Sequence, residues 1–184
     1  MRNRLMMIAA LGAFVIALSA SVLGENDTAT QTFEVNVDEI AVIDVSGNPG
    51  TLTITAPTNG GDDPVEPAAD SSTYVWYTSV IPAMETRTID AVITDGTLPP
   101  GTKLNLTAAT PTGTGNCGTA VALGVDLSGT AGDIITDIGS CATGQGTGGA
   151  QLTYTLTITD IGSLVVTSAN SITVTLTLTE SSGV

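Results

Sequence analysis

The sequence predicts an all-β protein, an antiparallel β-sandwich of immunoglobulin-like or fimbrial-like type, preceded by a helical signal peptide that is cleaved. Three observations carry this. Thr alternates with Val, Ile and Leu over long runs, as in Leu152–Ile158 and Ile172–Leu178, the period-two pattern of a pleated surface wet on one side. Turn residues punctuate the chain at roughly 8–12-residue spacing, as expected of a sandwich. Beyond the leader no helical period lasts more than a turn or two. A closed barrel is the alternative arrangement of the same strands.

Residues 1–24 carry the export signal. Arg2 and Arg4 precede the apolar run Leu5–Leu18, and small residues follow at Ser19, Ala20, Ser21 and Gly24, the order that export machinery reads. Cleavage is expected after Gly24, with Ser21 as the alternative. The apolar run falls short of the ~20 residues of a membrane-spanning helix, and Leu18–Leu23 holds no Cys for a lipid anchor. The mature region then forms one domain, residues 25–184, with no transmembrane segment.

Within that domain Glu25–Gln31 reads as a polar, extendable arm. Phe33, Val35 and Val37 alternate with Glu34 and Asn36 as a half-buried strand. The parity slips at Asp38-Glu39, where Ile40 and Val42 take over, which predicts a bulge or bend. Gly47–Gly50 makes a turn, and Leu52, Ile54 and Ala56 form the next run. From Pro57 to Ser72 Gly, Pro and acids give a long loop. Strands follow at Thr73–Val80, Arg87–Thr94 and Lys103–Ala109, the last two separated by the turn Leu98–Gly101. A Gly/Thr-rich stretch, Thr112–Gly118, leads to an alternating run at Val121–Leu127. Ile134–Ile138, the flexible Gly144–Gly149 and the two long Thr-rich strands complete the chain.

Composition limits the chemistry. The chain has no His, and loss of the leader leaves Arg87 and Lys103 against 18 acids. Such a surface repels phosphate backbones, so no nucleic acid is expected as a partner. Without His the usual Ser-His-Asp, Cys-His and zinc sites are excluded. A glycosidase needs only two carboxylates, but no pair of acids here stands out from the others. No enzyme is expected. The acids are dispersed, which fits solubility or a saline habitat better than a cofactor site.

Cys117 and Cys141 are the only cysteines. In an exported chain such a pair predicts a disulfide, closing a loop of about 25 residues worth about 3.5 kcal/mol in the chain-entropy model. Asp62, Asp63, Glu66 and Asp70 form a candidate Ca²⁺ loop, since carboxylates suit a hard cation, although their spacing matches no standard calcium loop. Gly113–Asn116 and Gly144–Gly146 imitate phosphate loops but open no helix and precede no Lys. In Tyr74-Val75-Trp76-Tyr77, alternation sends Tyr74 and Trp76 to one face and Val75 and Tyr77 to the other. Trp76 is expected to plug the core, which leaves Tyr77 as a candidate platform for a glycan ring.

Val37–Val45, Tyr74–Val80, Leu98–Leu104 and Leu152–Leu156 together resemble exported, uncharacterised β-rich proteins of Gram-negative bacteria, and more broadly fimbrial subunits. The resemblance implies a surface or matrix setting and carries no activity with it. The expectation is therefore a secreted or cell-surface protein, with the periplasm as the other location. Its role would be structural or adhesive, assembling by strand pairing with itself or with other surface proteins. The alternative is a carbohydrate-binding module helped by Ca²⁺.

Overall fold

The computed structural model describes residues 29–168 and 170–180. The signal peptide and the start of the polar arm lie outside the described residues. The chain divides into two units, residues 1–36 and 37–184, and the second is an antiparallel β-sandwich. Its strands are β1 (Ile40–Val45), β2 (Asp70–Val80), β3 (Arg87–Asp95), β4 (Thr102–Ala108), β5 (Thr114–Gly115), β6 (Thr119–Ala120), β7 (Val125–Asp126), β8 (Gly132–Ile138), β9 (Cys141–Ala142), β10 (Ala150–Ile158) and β11 (Thr173–Glu180). One 3₁₀ turn, Ile161–Ser163, is capped by the Asp160 side chain.

Seven strands make the larger sheet, in the order β5-β9-β2-β10-β4-β7, with β1 added to the opposite side of β2. That placement follows from register. Val75 has Val45 on one side and Ala150 on the other, and Thr78 lies between Val42 and Ala142. The smaller sheet is β11-β3-β8-β6. The long alternating runs behave as their period demands: Leu152, Tyr154 and Leu156 of β10 are buried while the intervening Thr153, Thr155 and Thr157 are half-exposed. Between the sheets Val75, Ile89, Ala91, Leu106, Ile134, Ile135, Ile138 and Leu152 are at most 1% exposed. Burying each such aliphatic chain contributes about 1.5–3 kcal/mol. β8 buries Ile134 and Ile135 in succession because a bulge opposite Ile89 and Asp90 turns both inward.

Three sequence expectations change. Leu52–Ala56 forms no strand, only one bridge from Thr55 to Val65. Val121–Leu127 is broken by Gly124, at φ +61°, whose backbone lies so close to Leu106 that an added Cβ would come within 2.1 Å of the carbonyl oxygen. The third is Phe33–Val37. These residues are extended but join no ladder. Phe33, Val35 and Val37 are 77%, 82% and 77% exposed, so this segment is not half-buried.

Candidate functional site

Both sheets end on the same kind of feature, an apolar strand without a full cover. In the larger sheet Val75, Tyr77 and Ser79 of β2 point inward and are 0–3% exposed. Their cross-strand partners on β1 are Val45, Ile43 and Ala41, and directly opposed residues share a face. Val45 is nonetheless 39% exposed, Ala41 is exposed and Ile43 only half-buried. In the smaller sheet Ile89 and Ala91 of β3 are fully buried, whereas their partners Leu178 and Leu176 on β11 are half-buried. Burial therefore falls off in step on passing from β2 to β1 and from β3 to β11.

β11 is an edge strand of eight residues, paired with β3 on one side only. The N–H and C=O groups on its other side meet no ladder, the condition under which an edge accepts another strand. Its outward face is fixed by hydroxyls: Thr175 and Thr179 hydrogen-bond Thr94 and Thr88, each at 2.9 Å, and Thr179 also donates to Asp90 Oδ2 at 3.2 Å. One corner ties the two edges together. Arg87, 4% exposed at the start of β3, forms ion pairs with Glu39, just before β1, and with Glu180, at the end of β11. The hydrogen bond from Glu180 raises the Glu39 carboxyl above its ordinary value, with burial and the Glu180 charge acting the same way against Arg87.

Arg87 and the Phe33–Val37 segment are the features that sequence reasoning missed. The parity slip at Asp38-Glu39 was the available signal, since it marks where the chain leaves one pattern before entering β1.

The sequence-predicted sites fare differently. Tyr77 is 3% exposed, and its hydroxyl donates to the Cys117 carbonyl at 2.6 Å. Burial holds its pKa well above the usual phenol range. It is a core residue and presents no ring to a glycan, which corrects the platform expectation. Trp76 takes the other face: it is half-buried outside the sandwich, donates from Nε1 to Gly146 O at 3.1 Å and touches Gly149. The core plug is therefore Tyr77, not Trp76.

Cys117 and Cys141 are both buried and both free thiols, where a bridge was expected. They are neighbours. Burial, and next the hydrogen bond to Cys117, push the Cys141 thiol up to about 12. A shielded pair of this kind acts as small apolar filling.

The candidate Ca²⁺ carboxylates do not converge. Asp62 accepts from Asn59 Nδ2, Glu66 from the Ile158 N–H, and Asp70 from the N–H groups of Ser72 and Gly50. These donors serve a turn, β10 and the start of β2 respectively. No three His, Cys, Asp or Glu among the described residues form a metal-holding group. Gly113–Asn116 runs through β5, and Gly144–Gly146 belongs to the turn covering Trp76. Among the described residues no helix is long and apolar enough to cross a membrane.

Comparison with known proteins gives no family model, curated protein or solved structure that matches the chain.

Proposed function

We propose that the protein is an exported, non-catalytic structural or adhesive subunit of the cell surface or extracellular matrix that self-associates by pairing strand edges. The observation that supports this best is β11, an eight-residue edge whose outer N–H and C=O groups have no partner strand. Edges of this length are normally blunted by Pro, inward-pointing charges or Lys. β11 has none along its seven residues Thr173–Thr179 and ends on Glu180. The export signal at residues 1–24 supports a location outside the cytoplasm, and the absence of His supports a role without nucleophilic or zinc chemistry.

The test is sedimentation and electron microscopy of the protein purified as the cell exports it, over a rising concentration series. Oligomers or fibres are expected. A strict monomer at the highest concentration refutes the reading. The glycan-binding alternative has lost its platform with the burial of Tyr77.

A further inference from the structure

The gap beside β11 has a definite shape. A strand added there would extend the smaller sheet by one position. It would place alternate side chains next to Val174, Leu176 and Leu178 and across the ~10 Å layer spacing from Ala41, Ile43 and Val45 of β1. The gap therefore asks for an extended segment of about eight residues, apolar at every second position and polar between. Its polar side chains would continue the Thr-rich outer face of β11.

The chain contains one such segment among the described residues that is not already in a ladder. Gln31–Asp38 is eight residues long and extended. Phe33, Val35 and Val37 occupy alternate positions, each at least 77% exposed. Thr32, Glu34 and Asn36 lie between them. Exposing three large apolar chains in one period-two row is unusual for a monomeric protein, where exposed apolar residues are normally scattered. The row matches the uncovered face in length, period and polarity. Glu34 would lie along the Thr hydroxyls, and Arg87 is already neutralised by Glu39 and Glu180.

We infer that Phe33–Val37 of a second copy of this chain occupies the gap beside β11, burying Phe33, Val35 and Val37 against Ala41, Ile43 and Val45. The inference rests on the edge-pairing reading above and names its partner. Each copy then gives one segment and receives one. This contact is heterologous and propagates as an open chain of subunits unless its rotation closes a ring. Strand addition of this type takes affinity from main-chain hydrogen bonds and specificity from alternate side chains.

The test uses two variants of the full exported protein. Phe33→Asp with Val35→Asp spoils the donor, and Ala41→Glu blocks the acceptor face. All three positions are exposed, so both proteins should melt as the wild type does. Val35→Ile should assemble normally. Each spoiled variant alone should stay monomeric at a concentration about a hundredfold above that at which the wild type assembles. Mixed together they should form a one-to-one dimer, the intact donor of one filling the intact gap of the other. That complementation would not arise from a general loss of folding.

Wild-type oligomers that survive Phe33→Asp with Val35→Asp overturn this inference and leave edge pairing standing, with β11 meeting another edge. A wild-type monomer whose melting temperature drops on the donor substitution also overturns it, placing the segment in its own chain's gap. A wild-type monomer indifferent to either change removes the edge-pairing reading as well.

Discussion

Replacing Tyr77 with phenylalanine deletes one oxygen from the middle of the sandwich. The hydroxyl donates to Cys117 O at 2.6 Å, and the side chain is 3% exposed, so no water replaces the lost donor at the carbonyl. A buried acceptor left without its partner costs about 1–3 kcal/mol. For a sandwich of this size each kcal/mol lowers the melting temperature by about 2–4 °C, so Tyr77→Phe should melt about 3–8 °C below the wild type. Tyr77→Ala adds the lost ring and should cost about 3–5 kcal/mol. Urea unfolding followed by circular dichroism measures both, with an unchanged denaturant slope confirming that stability alone has moved. The sign of the pH effect is independent. The folded phenol holds its proton above the ordinary value of 10.0, so stability falls as pH rises past 10 in the wild type. Tyr77→Phe should lack that decline. A Tyr77→Phe protein within about 0.3 kcal/mol of the wild type would refute the assignment of Tyr77 to the core and restore it as a surface ring.

Asp133 lies directly across from Asp90 on β3, and the hydrogen bond between the two carboxyls, then burial, raise the Asp133 pKa. The folded protein therefore keeps that proton after the unfolded chain has released it, and stability falls as pH climbs above 3.8. Asp133→Asn should be more stable than the wild type at neutral pH and flatter across that interval, as read by denaturation at a series of pH values. With its pKa pushed up to about 12, the Cys141 thiol should resist iodoacetamide at pH 8 in the folded protein and react at once in denaturant. Fast labelling of the native chain would place the sulfur in solvent. Leu106→Ala should cost about 2–5 kcal/mol, since Leu106 is fully buried between β10 and β7.

The strands with the longest alternation were legible because one face of each is dry and the other wet. Leu152, Tyr154 and Leu156 sort from Thr153, Thr155 and Thr157 by period alone. Periodicity separates two faces without saying which one is covered, and at β2 that choice went wrong. The size of Trp76 argued for the core, but the turn at Gly144–Gly149 folds over it from outside, a contact seventy residues away in the chain. The pairing of Arg87 with Glu39 and Glu180 was hidden for the same reason. Val121–Leu127 shows a different limit: its alternation is real, but Gly124 pressed on the Leu106 carbonyl ends any ladder after two residues. In Phe33–Val37 the pattern correctly indicates an extended segment with a dry side, and only the location of its cover lay beyond the reach of one chain's sequence.

The burial of Arg87 has a consequence for durability. Once the leader is gone, the polypeptide offers trypsin-like proteases only two residues at which to cut, Arg87 and Lys103. The first is sealed under two carboxylates at the head of β3, and the second is held within β4 with its ammonium on Asp126. Neither lies in a loop that can thread into a protease cleft, so digestion must wait for the sheets to come apart. A coat built from such subunits would outlast most of the hydrolases shed around it.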